Sequence, residues 1–310
     1  MEDRLEVLEK ELSAVRAIGE GEPLGPIVKM QGKASKSEVV PLVVLSDHHY
    51  EEEVCAKKMH GLNEYNLEIA KQRSEVCFVN ASKLIASAET TSKVGRVFVG
   101  LLGDFITGRI HEENLETALL GVGPALAFAR QLLSRGIRYL LDQHPNIEFS
   151  FFAVGGNHGR ITKRTHISTN SENNLEVMMV WHLASDFKDD KRAKFFISEG
   201  DEIYSEAFPG YVIRWIHGDA VNFQGGIGGL QVPLSKWILR ANANIRAEQT
   251  VLGHFHTTKA DKDFLVNGSL IGYNMYAKRF GLPFEPPQQQ FALIHASRGR
   301  TLVANVWCQP

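Results

Sequence analysis

The sequence predicts an α/β protein with two β-sheets packed face to face and helices outside them. Three observations predict it. Short apolar runs rich in Val, Ile and Phe alternate with long stretches of helical periodicity, the pattern of an α/β chain. Toward the C-terminus the alternation stops, and DFLVNGS, QQFALIHA and GRTLVANVW read as consecutive antiparallel strands. The 310 residues, 44% of them hydrophobic, suffice to bury the core of such a sandwich.

In chain order, residues 1–18 read as a short amphipathic helix, with Leu5, Leu8, Leu12 and Val15 at 3-4-3 spacing and charges between them. A helix of this length is marginal alone in water, so it is expected to dock on its own domain or on a second copy of the chain as a homo-oligomer contact. The stretch GEGEPLGPIVKMQGKASK (19–36) is rich in Gly and Pro and reads as a linker. Residues 1–36 are thus an N-terminal helix and linker ahead of one main domain over 37–310. Five strand candidates follow: VVPLVVLSD (39–47), GRVFVGLLGD (95–104), IEFSFFAVGGN (147–157), GYVIRWIHGD (210–219) and QTVLGHFH (249–256). Helical stretches lie near 62–88, 113–140 and 172–187.

A formal net charge of -2 supplies no global basic field and argues against nonspecific polyanion binding. The three cysteines (Cys55, Cys77, Cys308) show no CxxC spacing, so neither a disulfide framework nor a cysteine zinc site is expected. The opening MEDRLEVLEKELSAV is unlike a signal peptide, and no apolar stretch is long enough to cross a bilayer. The expectation is a soluble cytoplasmic protein without a membrane partner.

The five strands share the way they end. Each delivers His, Asp or Asn at its C-terminal tip: Asp47-His48-His49, Gly103-Asp104, Gly156-Asn157-His158, His217-Gly218-Asp219 and Gly253-His254-Phe255-His256. Open α/β sheets place their ligand crevice at those carboxyl ends. Carboxylate, imidazole and amide oxygen without thiolate suit Mn²⁺, Fe or Zn²⁺ better than a soft metal. If the chain stays extended, alternation puts Asp47 and His49 on one side with His48 facing away, and His254 with His256 while Phe255 turns to packing. Seven ligands are too many for one tetrahedral site and suit two metals bridged by a carboxylate, for which Asp104 is placed.

This ordered set resembles the calcineurin-like metallophosphoesterases, whose pattern is D-x-H, G-D, G-N-H-D/E, H and G-H-x-H. The match runs from Asp47 to His256, about two thirds of the chain. The resemblance implies a four-layer αββα fold, a catalytic domain over 37–310 and two divalent metal ions, Mn²⁺ foremost with Fe, Zn²⁺ or Ni²⁺ as options. One metal would take Asp47, His49, Asp104 and His256; the other Asp104, Asn157, His217 and His254. Two metals about 3.5–4 Å apart make hydroxide available near neutral pH for attack on a phosphoester. His158 would then protonate the leaving oxygen or stabilise the transition state. The segment GNHGR, its basic continuation (Lys163, Arg164) and VNGSLIGYNMYAKRF look like phosphoesterases of bacteriophage genomes, whose setting would be the host cytoplasm.

Two departures from the pattern matter. Gly159 stands where Asp or Glu usually follows G-N-H, so another group, Asp219 or Asp47, is expected to orient His158. His48 occupies the variable position and reads as a packed histidine. Arg160 is placed to clamp a phosphate in two-point geometry. The expected substrate is a phosphodiester in a nucleotide or nucleic acid, such as a DNA end. The alternatives are a phosphomonoester, or a non-catalytic scaffold that keeps the fold. Acids in IHEEN (110–114) suit a helix N-terminus, NFQGGIGG (222–229) a flexible wall, and Asn267 a tight turn or a place near the site. His60, His144, His166, His182 and His295 fall outside the ordered pattern.

Overall fold

The computed structural model describes residues 27–29, 37–110, 112–223, 229–279 and 281–309. The expected N-terminal helix and most of the linker lie outside these residues. The strands, in chain order, are β1 (Val28–Lys29), β2 (Val39–Leu45), β3 (Arg96–Leu101), β4 (Glu148–Ala153), β5 (Ala193–Ile197) and β6 (Glu202–Phe208). They continue with β7 (Tyr211–Ile216), β8 (Gln249–Leu252), β9 (Lys259–Asp261), β10 (Phe264–Val266), β11 (Gln288–His295) and β12 (Gly299–Trp307). The described helices are α1 (Leu67–Thr91), α2 (Glu112–Thr117), α3 (Val122–Gln143), α4 (Leu175–Asp186), α5 (Gln231–Asn242) and α6 (Met275–Arg279).

Two mixed six-stranded sheets form, in the orders β12-β11-β2-β3-β4-β5 and β1-β6-β7-β8-β10-β9. Strands β2 to β5 are mutually parallel in the first sheet, and β7, β8 and β10 in the second. The continuous apolar run of β2 follows from burial on both faces, as expected of an inner strand. Val40, Leu42 and Val44 point into the core between the sheets, with Phe152, Ile213, Trp215 and Val251. Val43 and Leu45 point the other way, into a core shared with Phe78 of α1, Leu133 of α3 and Leu183 of α4. A separate cluster of Ile216, Leu252 and Val266 with Leu234 and Ile238 covers the far side of the second sheet with α5. The result is a four-layer αββα sandwich.

The five expected strands form, four of them ending two or more residues before the polar tip and β7 ending at Ile216, directly before His217. One expectation is corrected. DFLVNGS does not run antiparallel beside QQFALIHA: β10 lies in the second sheet, parallel to β8, whereas β11 and β12 pair antiparallel in the first. The stretch near 113–140 is two helices, α2 and α3, rather than one. Within the expected linker, β1 pairs with β6.

The parallel arrangement places the carboxyl ends of β2, β3 and β4 beside those of β7 and β8. Backbone hydrogen bonds tie these ends together, from Asp47 N to Gly103 O at 3.0 Å and from Gly253 N to His217 O at 2.8 Å.

Candidate metal centre

At these strand ends the chain leaves extended geometry. Asp47, His49, Asp104, His254 and His256 have φ of 57°, 45°, 53°, 71° and 51°, in the left-handed region. Strand alternation is therefore not what pairs Asp47 with His49; turns past Leu45 are. His48 does face away from the centre, as alternation also predicts. It is fully buried, edge-on to Tyr50 and Phe105 at centroid distances of 4.9 and 5.1 Å. Burial pushes its imidazole down to about 3, so it stays neutral.

The polar tips converge into three overlapping groups able to hold a metal ion: Asp47, His49 and His256; Asp104, His217 and His254; and His49, Asp104 and His158. In the first group, His49 Nε2 is 3.2 Å from His256 Nε2, and His256 Nε2 is 3.5 Å from Asp47 Oδ1. In the second, His217 Nε2 faces Asp104 Oδ2 at 3.1 Å, Asn157 Oδ1 at 3.0 Å and His254 Nδ1 at 3.2 Å. His254 and His256 thus serve different groups. All seven ligands expected from the sequence lie in this one assembly, with Asp104 between its halves.

The donor set fits a divalent cation. His217 Nδ1 donates to the Leu102 carbonyl at 2.6 Å, so Nε2 is the nitrogen that presents a lone pair once the ring gives up its second proton. That lone pair meets a carboxylate oxygen, an amide oxygen and another ring nitrogen, a convergence of acceptors that a cation satisfies. Asp47 and Asp104 are 0% and 2% exposed, and buried charge requires compensation. Burial raises both carboxyls, but His256 beside Asp47 and His217 and His158 beside Asp104 hold them below the usual range. Burial, then neighbouring imidazoles, push His49 well down, and burial and His217 push His254 to about 4. His217 and His256 are drawn down by burial and carried above their ordinary value by Asp104 and Asp47 respectively. Mixed oxygen and imidazole ligands of this kind suit Mn²⁺, Fe or Zn²⁺.

Close backbone approach accounts for two motif glycines. A Cβ on Gly156 would lie 2.1 Å from Asp104 Oδ1, and one on Gly253 2.4 Å from Asp47 Oδ2. His254 N then donates to both Asp47 oxygens, at 3.0 and 2.9 Å. The Ser46 hydroxyl donates to Asp47 Oδ2 and accepts from Asn267 Nδ2 at 2.8 Å. Asn267, read from the sequence as either near the site or in a tight turn, is thus a buried support one group removed from the centre.

His158 stands beside the assembly, its Nε2 4.0 Å from Asp104 Oδ2 and its ring edge-on to His49. Asp219 or Asp47 is the orienting group expected from the sequence; the partner found at its Nδ1 is a backbone carbonyl. Its Nδ1 lies 2.7 Å from the Thr107 carbonyl. Arg160 is not brought to the carboxylates and imidazoles: its Nε donates to the Thr162 carbonyl at 3.3 Å. His111 and residues 224–228 of the glycine-rich loop lie outside the described residues. Of the other histidines, His144 bonds Glu89 and Ser82, and His60 meets Lys278.

Sequence reasoning missed three buried acids around the site: Glu51, Glu52 and Glu176. Burial pushes each up to about 7, with Asp104 adding to the shift at Glu176. Glu176 Oε2 accepts from Asp104 N at 2.9 Å and Gly156 N at 3.1 Å, while Oε1 accepts from Ile106 N at 3.0 Å. One carboxylate therefore joins the loops after β3 and β4. Only its place as the second residue of a helix N-capped by Asn174 hinted at an ordered position.

No protein-family model matches the sequence, and no curated protein matches it. Among solved structures the chain is similar to vacuolar protein sorting 29 from Cryptosporidium parvum. The identity is 14%, the TM-score 0.34, and the match covers 87% of this chain and 96% of that one. The functional reading rests on the residues of the site.

Proposed function

We propose that the chain is a metal-dependent phosphoesterase of the calcineurin-like kind, hydrolysing a phosphodiester in a nucleotide or at a nucleic-acid end. The observation that carries this reading is the overlap of three groups of converging acceptors, His49 linking the Asp47–His256 group to the His158 group and Asp104 linking that one to the His217–His254 group. Asp47, His49, Asp104 and His256 would hold one cation, and Asp104, Asn157, His217 and His254 a second. Bound cations supply Lewis acidity to phosphoryl oxygens and make hydroxide accessible near neutral pH. The neutral Asn157 ligand leaves net positive charge for an anionic substrate. His158, with its Nε2 toward Asp104 and its other nitrogen engaged, is placed to give a proton to the leaving oxygen.

The test is metal analysis of purified protein after Mn²⁺ loading, alongside assays with mono- and bis-4-nitrophenyl phosphate and then single- and double-stranded DNA. Two metals per chain and faster cleavage of the diester are expected. Loss of metal stoichiometry in Asp104→Ala, with activity, supports the assignment. No metal uptake by the parent protein sinks it, and preference for the monoester moves the substrate to phosphoproteins or small phosphates.

A second reading is a non-catalytic assembly protein that keeps the fold and the metal. One observation favours it: Arg160 Nε donates to the Thr162 carbonyl of its own loop. Metal-loaded protein that turns over none of these substrates, and whose oligomeric state changes on removal of residues 1–36, selects this reading. A tenfold or larger rise in KM for Arg160→Ala, by contrast, restores Arg160 to phosphate binding.

A further inference from the structure

We propose that His158 is oriented through a backbone carbonyl, that of Thr107, which Glu51 and Asn114 hold in place of the carboxylate absent at position 159. This rests on the reading above only in giving His158 a proton to deliver. The absent carboxylate has no room. A Cβ on Gly159 would stand 2.4 Å from Asn174 Oδ1 and 2.7 Å from Glu176 Cγ, so a longer side chain there collides with the residues that open α4.

The substitute comes from a different side of the site. His158 Nδ1 lies 2.7 Å from the Thr107 carbonyl oxygen and 3.2 Å from Asn114 Nδ2. The shorter contact, which two lone pairs would make repulsive, puts the ring proton on Nδ1 and leaves the Asn114 amide to donate to the carbonyl. Nε2 is then the nitrogen left to face Asp104 and the substrate side. The Thr107 carbonyl is itself fixed on both flanks. Asn114 Nδ2 donates to it at 3.1 Å. On the other side of that peptide unit, Thr107 N and Gly108 N both donate to Glu51 Oε1, at 2.8 and 3.1 Å. Gly108 lies so close under His158 that a Cβ on it would come within 2.2 Å of the His158 carbonyl oxygen. The segment after the first motif also grips the helix carrying Asn114. Leu119 N donates to Glu51 O and Glu53 N to Thr117 O, each at 2.8 Å. Glu51, 1% exposed, thus acts as a positioning residue for His158 together with Asn114.

A carbonyl held this way orients the ring and selects its tautomer without bringing a second negative charge beside Asp104. Removing outer groups that orient site residues costs about 10–100-fold.

The experiment uses full-length protein with ¹⁵N-labelled histidine, metal-free and Zn²⁺-loaded, and reads the His158 ring tautomer by long-range ¹H–¹⁵N correlation. His158→Gln identifies the signal. The parent is expected to show a single Nδ1–H form. Glu51→Ala and Asn114→Ala should mix the tautomers and lower kcat by about 10–100-fold, with KM and metal stoichiometry unchanged. Glu51→Gln keeps an oxygen for the two amides and should restore both readouts. Asn114 is part exposed on a short helix, so its truncation is readable even if Glu51→Ala fails to fold. A parent ring protonated at Nε2, or an unaltered tautomer in Asn114→Ala, overturns the proposal. An inactive parent with the expected tautomer pattern overturns the phosphoesterase reading and leaves this one standing.

Discussion

His254 has φ of 71° and Asp104 of 53°, backbone angles at which a Cβ crowds the following carbonyl. Of the six described non-glycine residues with positive φ, five are among the seven expected metal ligands. Strain of this kind is of order 1–3 kcal/mol per residue and persists where the surroundings enforce it. Here the enforcing contacts are backbone donors to the carboxylates, such as His254 N to Asp47. The consequence is an inverted glycine effect. His254, pushed to about 4 mainly by burial, is neutral, so its removal deletes no charged partner. In EDTA, His254→Gly should be more stable than His254→Ala by about 1 kcal/mol by urea denaturation, the reverse of the usual order. Both should bind metal more weakly. An alanine variant as stable as the glycine variant shows that the left-handed backbone carries no cost. His158 makes a contrasting case. His158→Ala should keep both metals and lose about 10²–10⁴-fold in kcat. Full retained activity on every substrate ends its assignment as proton donor.

The loops after β3 and β4 form one unit because Glu176 accepts amide donors from both. Hydrogen bonds to a charged acceptor are worth about 1.5–3 kcal/mol, and an unsatisfied buried donor costs about 1–3 kcal/mol. Glu176→Ala should therefore lower stability by about 3 kcal/mol or more, and speed amide exchange at Asp104, Ile106 and Gly156 together. Exchange that rises at only one of the three would show that the loops are not coupled through this carboxylate. Glu176 also shows what the sequence leaves hidden. The five strands with polar tips were legible because a glycine-flanked His, Asp or Asn after an apolar run is unusual, and five in order reinforce one another. Acids such as Glu51 and Glu176 carry no such mark. Each looks like a solvated residue until tertiary packing sets it against backbone amides. Sheet membership was hidden for a similar reason: DFLVNGS has ordinary strand composition, and only the long-range partners of β10 place it in the second sheet. The edge strand β5 and the half-exposed helix α5 were not read because neither carries a continuous apolar run or a strong periodic stripe.

For the molecule as a whole, the centre joins the ends of two sheets packed through an apolar core, with Arg300 of β12 bonded to Gln249 and the Phe264 carbonyl across it, so a bound cation should act as a further cross-link of the folded state. A ligand that binds only the native protein stabilises it by about 2.7 kcal/mol at a hundredfold excess over Kd. For a chain of this size that is a rise in Tm of roughly 5 °C. The dependence on pH follows from the metal-free protein. His217 and His256 sit above their ordinary values, carried there by Asp104 and Asp47 against the pull of burial. A metal can take their lone pairs only after those protons leave. Metal affinity should therefore fall as pH falls, and the decline should begin above the ordinary imidazole range near 6.5, because the competing protons are held more tightly than in free histidine. Zn²⁺ or Mn²⁺ titrations by calorimetry, repeated in buffers of different ionisation enthalpy, should report net proton release on binding. The metal-induced rise in Tm should shrink between about pH 8 and pH 6. A rise that is the same at both, with no proton released, would mean that His217 and His256 are not the groups that bind the metal.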